Sequence, residues 1–425
     1  MKNKQIVEAM KKGLVVATGC TEPVAIAYAG AVARSFAKGE IERIELLASP
    51  NMIKNAFVVG IPGTELTGLK YAVAIGSMCT EPERKLAVLE GVSRAQVKMA
   101  KQLVDDNKVI LGKADLPYKL YLEVTLKTTM DIVKVKIIGA HTNVTQIVKN
   151  GKIVYNGGCN DGLEENDTTK YSFDLKDIYT FCLQVDVQEL DLIKQAIVLN
   201  SSISKEGLEA QYGLAVGKMI QTNIGKKILA DDMINYAMMI TAAASDARMA
   251  GLSLPVMSNS GSGNQGIAAT MPVVGVWEKM ESKDEEALIR ACALSNLATI
   301  YIKQKFGVLS ALCGAVVAAS GAACGITYLL GGDFEQIENA IHNTLGNVAG
   351  IVCDGAKSSC ALKISTCTNA AMQASLLALN HLRIKSNEGI VEQLSEKTID
   401  NFAVLGNEGS ETIDKLILDM IIHKE

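Results

Sequence analysis

F306GVLSALCGAVVAASGAACGITYLLGG332 carries no charged residue, and C353DGAKSSC360 follows it with an acidic, glycine-containing turn between two cysteines. The first run is long enough to span a bilayer. Six glycines and two cysteines interrupt it, however, no aromatic belts flank it, and no second run of this kind exists in the chain. It reads better as a helix buried on all sides within a helical domain, so no membrane is expected as a partner. Four cysteines, Cys313, Cys324, Cys353 and Cys360, fall in this region of a chain that is only 4% aromatic.

Outward from this run, everything after about residue 190 reads helical. Ser282 and Glu285 have capping-box spacing and open a helix expected to reach about Tyr301. The first half is mixed. Residues 4–17 read as a helix with an apolar face, residues 83–105 as an amphipathic helix, and I44ELLAS49 as a strand. Y118KLYLEVTLK127 and D131IVKVKIIG139 alternate with period 2, as half-buried antiparallel strands do. From Asn150 to Lys176 the chain turns polar and glycine-rich, marking a peripheral excursion and a boundary between 175 and 200. The expected class is α+β: an α+β domain with antiparallel strands over 1–190, and an all-helical domain around the buried central helix over 191–425.

Length and charge narrow the function. At 425 residues with 48% hydrophobic content, the chain can bury two cores. Its net charge of −4, with no basic block, argues against nucleic acid as a partner. Ten irregularly spaced cysteines and a charged, amphipathic start, MKNKQIVEAMKKG, fit the reducing cytoplasm, with thiols free or metal-bound. The 36 glycines suggest close helix contacts and a possible homodimer.

Four loops could carry chemistry. T18GCTEP23 puts Cys20 just before a helix that Pro23 can start, where free N–H groups and the helix dipole favour a thiolate; a small buried residue at a tight turn is the plainer alternative. C79TEP82 repeats the tetrapeptide in unlike surroundings, and Cys79 is taken as incidental. Asn51, Lys54 and Asn55 could grip a carboxylate or form a solvated turn. His141 lies where a strand gives way to a turn, as a surface residue or a projecting catalytic group. S258NSGSGNQG266 leads into IAAT, so that backbone and hydroxyl donors converge at a helix start and offer an anion or carboxylate site.

Cys313, Cys353 and Cys360 are the candidate metal ligands. Ferredoxin spacing is absent. Three thiolates on a 4Fe–4S cluster would leave one iron open to act as a Lewis acid; three-cysteine zinc and unligated packing cysteines remain alternatives. Cys159 and Cys182 have no partner at ligand spacing.

T18GCTEP23, N51MIKNA56 with G60IPGT64, H141TN143, S258NSGSGNQG266 and C353DGAKSSC360, in that order, resemble the L-cysteine desulfidase family, which is related to the iron–sulfur L-serine dehydratases. The resemblance runs from about residue 5 to the end. It implies a cytoplasmic, oxygen-sensitive iron–sulfur carbon–sulfur lyase that converts the small amino acid L-cysteine and water to pyruvate, ammonia and hydrogen sulfide. It places a 4Fe–4S cluster on Cys313, Cys353 and Cys360 with one open iron, and makes Cys20 the catalytic base. Ser258, Ser260, Ser262, Asn264 and Gln265 would cradle the substrate carboxylate, joined by Asn51, Lys54 and Asn55; His141 and Asn143 resemble a His-x-Asn element of the serine dehydratases. The C-terminus, LDMIIHKE, lacks the terminal cysteine that caps the fourth iron in some serine dehydratases, and Cys367 has no counterpart. L-serine dehydratase (L-serine ammonia-lyase) activity is the alternative. S262GNQG266 also resembles a pyridoxal-phosphate loop, but the helical second half lacks the parallel α/β domain such enzymes need.

Overall fold

The structure is a computed structural model that describes residues 2–118, 120–157, 171–306 and 310–422. The first half runs α1 (Lys2–Gly13), β1 (Leu14–Thr18), α2 (Thr21–Phe36), β2 (Ile41–Ala48), α3 (Pro50–Ala56), α4 (Leu69–Gly76), a 3-10 turn (Pro82–Ala87) and α5 (Arg94–Asp105). Five strands follow, β3 (Val109–Lys113), β4 (Tyr121–Thr128), β5 (Ile132–Ile138), β6 (Val144–Lys149) and β7 (Lys152–Asn156). They join β2 in a sheet of order β3-β2-β4-β5-β6-β7, in which only the β2–β3 pair is parallel. Alternation in the two β-rich runs sets the register: Tyr121 faces Ile138, and Leu122, Val124 and Leu126 turn inward with Val133, Val135 and Ile137.

The second half contains α6 (Leu175–Gln184), α7 (Asp191–Glu209), α8 (Val216–Gly225), α9 (Met233–Met249), β8 (Pro255–Asn259), α10 (Gly263–Lys279) and α11 (Glu285–Phe306). After these come α12 (Gly314–Leu329), α13 (Phe334–Val348), α14 (Cys360–Leu379), α15 (Ser395–Asn407) and α16 (Ser410–Ile422). The apolar run is α12, enclosed by α10, α11, α13 and α14. No described helix is long and apolar enough to cross a membrane. Close approach of α11 and α12 requires small residues: a Cβ on Gly321 would lie 2.1 Å from Thr299 Oγ1 and 2.4 Å from the Ser295 carbonyl oxygen.

The class is α+β as expected, with several local differences. α1 stops at Gly13, and Leu14–Thr18 instead forms a strand that pairs antiparallel with β8, the one strand among the described residues of the helical half. Residues 83–105 are not one helix: Lys85, at φ 50°, interrupts the 3-10 turn from within, and after Gly91 at φ 80° α5 begins only at Arg94, capped by Ser93. Lys152–Asn156 is an edge strand, whereas the sequence suggested excursion; Cys159 lies outside the described residues. α2 starts at Thr21, two residues before Pro23. α11 extends to Phe306, and its first turn is capped by Asp284, whose carboxylate accepts from the Ala287 N–H at 3.1 Å.

A cut near residue 190 crosses both hydrophobic cores. The larger core, built on the helical half, includes Ile6, Met10 and Leu14 from the N-terminus and Ile178 and Phe181 from α6. The smaller, between the sheet and α2–α5, receives Leu418 from α16. Two terminal segments therefore strap each unit to the other. The Gly321 contact gives a direct test. Gly321→Ala should lower the thermal unfolding midpoint, as overpacking costs about 1–3 kcal/mol. Gly225→Ala, whose added Cβ meets nothing within 4 Å, should leave the midpoint unchanged or slightly raised; equal midpoints for the two variants would contradict the close approach.

Candidate active site

A short backbone bridge brings the first two candidate ligands together. Leu312 and Val352 form an isolated antiparallel bridge, with the Cys313 N–H donating to the Ile351 carbonyl at 2.8 Å and the Cys353 N–H to the Ala311 carbonyl at 2.7 Å. Cys313 and Cys353 are thus diagonal neighbours on one face, a placement that sets side chains about 7–8 Å apart or somewhat closer. Cys360 is the first residue of α14, its N–H donating to the Lys357 carbonyl at 2.9 Å. Cys313 packs against the larger core and Cys360 against the smaller, so the thiols lie at the seam.

Two of these thiols, Cys313 and Cys360, feel their neighbours. Burial, followed by the neighbouring Cys353, pushes Cys313 up to about 12, against the opposing influence of the Ala315 N–H in the first turn of α12. Burial raises Cys360 as well, with Cys353 adding to it and Lys363 and Lys357 opposing. The loop is held by Asp354, which pairs with both Lys357 and Lys363. Burial alone would raise the Asp354 carboxyl, but the two lysine hydrogen bonds hold it down at about 2. Lys363 also donates to the Val352 carbonyl at 2.7 Å, tying its charge to the bridge.

Cys20 reaches the same seam from the other side. It is the N-cap of α2, buried to 4% exposure, and its thiol donates to Glu22 Oε2 at 3.5 Å. Glu22 is steadied by Thr21 Oγ1 at 3.2 Å and by Asn55 Nδ2 at 3.2 Å. Burial, then the Glu22 charge, pushes Cys20 up to about 12 in spite of Arg248; the charge of Cys360 acts in the same upward direction. The helix terminus does not by itself make a thiolate here, because desolvation outweighs it. Cys20 rests as a thiol with its proton turned toward Glu22.

The remaining candidates divide. Asn51 and Asn55 lie in α3, which the Cys353–Cys360 loop touches: a Cβ on Gly355 would meet the Lys54 carbonyl oxygen at 2.1 Å. Lys54 is buried and committed to Asp414 at 2.6 Å, so it is not a free carboxylate grip. Ser258 Oγ donates to the Val15 carbonyl at 2.5 Å, Ser260 Oγ to Asn259 Oδ1 at 2.9 Å, and Gln265 Nε2 to the Asn259 carbonyl at 3.3 Å. These three therefore build the loop more than they line it. Ser262 caps α10, accepting from the Gln265 N–H at 3.3 Å, and Asn264 turns its Oδ1 to Arg248 Nη1 at 3.4 Å. Asn143 closes the β5–β6 turn through the Ile138 carbonyl at 2.9 Å. His141 sits in that turn, at the sheet end where Ser49 Oγ accepts from the Tyr121 N–H and α3 begins.

Sequence reasoning missed Arg248, Glu22 and the Asp354–Lys357–Lys363 set. The available signal for Arg248 was a charge in the alanine-rich T241AAASDARMAG251, where a fully apolar face was otherwise forming. Other cysteines pack internally: Cys79 donates to the Ile75 carbonyl at 3.4 Å and Cys324 to the Ser320 carbonyl at 3.2 Å, while Cys182, Cys292 and Cys367 are buried. Cys367 lies two turns along α14 from Cys360, within electrostatic reach of Cys313. Among the described residues, no three His, Cys, Asp or Glu side chains converge closely enough to hold a single metal ion. A 350 Å³ cavity lined by Glu338, His342 and Arg383 lies elsewhere, near the start of α13 and away from the Cys353 loop that follows its end.

The sequence profile of the family described as serine dehydratase alpha chain matches residues 83–419. The chain belongs to that family. The serine dehydratase alpha-chain match includes all three seam cysteines, while Cys20, Glu22 and α3 precede it. Full-length similarity covers that part too. A UPF0597 protein of Actinobacillus pleuropneumoniae serotype 5b (strain L20) is 42% identical over 419 residues, spanning 99% of this chain and 97% of its own. UPF0597 proteins of Oleidesulfovibrio alaskensis (42%, 99% of this chain and 98% of that one) and Porphyromonas gingivalis (41%, 99% of both) are similar throughout.

The thiol state of Cys20 is measurable by alkylation. In metal-free protein, modification of Cys20 by iodoacetamide, followed by peptide mass spectrometry, should still be accelerating at pH 10, because its pKa is near 12 and not the ordinary 9.0. Glu22→Gln removes a charge that favours the thiol and should shift the profile to lower pH. A rate that levels off near pH 9 in the native chain would contradict the burial argument.

Proposed function

We propose that the protein is an iron–sulfur lyase that eliminates sulfide from L-cysteine, with a 4Fe–4S cluster held by Cys313, Cys353 and Cys360. The observation that carries this reading is the gathering of three partly buried thiols at one seam, opposite a fourth, the buried Cys20, that hydrogen-bonds to a carboxylate instead of joining them. The donor set fits such a group. Soft thiolates suit iron–sulfur clusters, and diagonal placement suits ligands spread over separate iron atoms more than one tetrahedral ion. Ala315 N–H and Lys363 supply positive charge to an anionic group. Membership of the serine dehydratase alpha-chain family supports a lyase.

When bound, the cluster would supply Lewis acidity at an iron that has no protein ligand, which makes a thiolate a better leaving group. The chain's own residues do the rest. Glu22 Oε2 holds the Cys20 sulfur in place through its hydrogen bond, and the reactive form is the thiolate fraction, its proton lost to solvent, that Arg248 and the helix N–H groups stabilise at the start of α2. The thiolate takes the substrate Cα proton; a positioned base of this kind contributes roughly 10²–10⁴-fold. The Cα–H electron pair forms the Cα=Cβ bond as the Cβ–S bond breaks. Released aminoacrylate tautomerises and hydrolyses to pyruvate and ammonia. Asn55, bonded to Glu22 Oε1, keeps the acceptor aimed at Cys20. Elimination of water from L-serine is the alternative reaction of the same arrangement, favoured by the family description.

Anaerobically prepared enzyme should release sulfide and pyruvate from L-cysteine faster than pyruvate from L-serine. Cys20→Ala should keep the brown visible absorbance of the cluster while losing at least 10²-fold in rate. Wild-type turnover in Cys20→Ala would remove Cys20 from the chemistry, and a preference for L-serine would select the dehydratase reaction.

A further inference from the structure

Arg248 is a buried cation without an anion. It is 5% exposed and lies in the last turn of α9. Nη2 donates to the Gly19 carbonyl at 2.9 Å and Nη1 reaches Asn264 Oδ1 at 3.4 Å, while Nε is buried with no partner. No carboxylate among the described residues forms an ion pair with it. Asp246, two residues earlier, turns instead to the Gly217 N–H at 3.0 Å. A basic residue at a helix C-terminus is often there for the dipole, but this side chain leaves α9 and bridges two other elements. An unpaired guanidinium is expensive to bury, and an arriving carboxylate or phosphate that matches its fork would relieve that cost.

Its surroundings say where that anion would sit. Gly263 opens the seventeen-residue helix α10, and a Cβ there would lie 2.2 Å from Arg248 Nε, so only glycine lets the guanidinium reach the helix start. On the other side Arg248 touches the turn of Cys20 and acts on its charge. The fork thus lies between the N-termini of α2 and α10, both of which favour negative charge.

We propose that Arg248, with the first N–H groups of α10 and Asn264, holds the α-carboxylate of the amino-acid substrate and so points its Cα proton at Cys20. The inference deepens the lyase reading and rests on it for the word substrate. A guanidinium matches a carboxylate through paired N–H donors. Charge that develops at Cα delocalises into the adjacent carboxylate, so a cation there assists proton removal as well as binding. Arg248 also sets specificity: an amine or thiol lacking the carboxylate leaves the cation unpaired and is rejected.

Titration calorimetry of the anaerobic holoenzyme tests this with L-alanine, which has the carboxylate but no leaving group, and with ethylamine, which has no carboxylate. The wild type should bind L-alanine and not ethylamine. Arg248→Gln should weaken L-alanine at least tenfold, and Arg248→Lys less. Asn264→Asp, which keeps the arginine but gives it an internal carboxylate, should weaken L-alanine similarly; it decides the matter if Arg248→Gln does not fold. In turnover, Arg248→Lys should raise KM for L-cysteine more than it lowers kcat. Unaltered L-alanine binding in Arg248→Gln or, should that variant not fold, in Asn264→Asp overturns the proposal, as does a wild type that ignores L-alanine. If L-alanine binding needs Arg248 but neither L-cysteine nor L-serine is consumed, the carboxylate site stands and the lyase reading falls.

Discussion

A sixteen-residue helix with no polar face must be met by other helices on every side, and α12 imposes that condition on the whole second half. Small residues at its contacts with α11 bring backbones together, so α10, α11, α13 and α14 can all pack around one axis. Its N-terminus is consequently inside the protein. Cys313, the N-cap of α12, sits at that end, where unpaired N–H groups point outward into the seam between the two cores. The central helix therefore does more than fill space. It delivers a partly positive terminus to a buried place where thiols collect.

The seam is an electrostatic compromise. Burial drives Cys20, Cys313 and Cys360 toward their neutral forms. The opposing influences are local and directional: helix N-termini at all three cysteines, Lys363 beside the bridge, and Arg248 beside Cys20. Asp354 does not spoil this balance, because its charge is consumed by Lys357 and Lys363, and the pairing fixes the Cys353–Cys360 loop. Since Asp354 is held near 2, below the usual carboxylate range, its contribution is complete above the unfolded value and fades only as pH falls toward 2. The C-terminal helix closes the arrangement from outside, with Asp414 reaching back to the buried Lys54.

Much of this was legible from residue patterns. Period-2 alternation in 118–127 and 131–139 located the strands and their antiparallel pairing, and the charge-free run located α12. T18GCTEP23 placed Cys20 at a helix start. What escaped depended on partners distant in the chain. The β1–β8 pair joins residues 14–18 to 255–259, and nothing local in LVVAT foretells its partner. Lys54 looked available until α16 supplied Asp414, 360 positions later. The serine-rich loop looked like a set of free hydroxyls, but Ser258 and Ser260 spend theirs on Val15 and Asn259. At Cys20 the residue pattern showed the helix terminus but not the burial, a tertiary property that raises the thiol and outweighs that terminus.

The most direct test is the iron and acid-labile sulfide content of the protein reconstituted anaerobically as wild type, Cys353→Ser and Cys20→Ser. A cluster held by the three seam thiols gives about four irons and four sulfides per chain in the wild type. Cys20→Ser should match it, since its thiol hydrogen-bonds to Glu22 and is no ligand, while Cys353→Ser should lose most of both elements. Full iron and sulfide in Cys353→Ser, or their loss in Cys20→Ser, would contradict the assignment of the cluster to Cys313, Cys353 and Cys360.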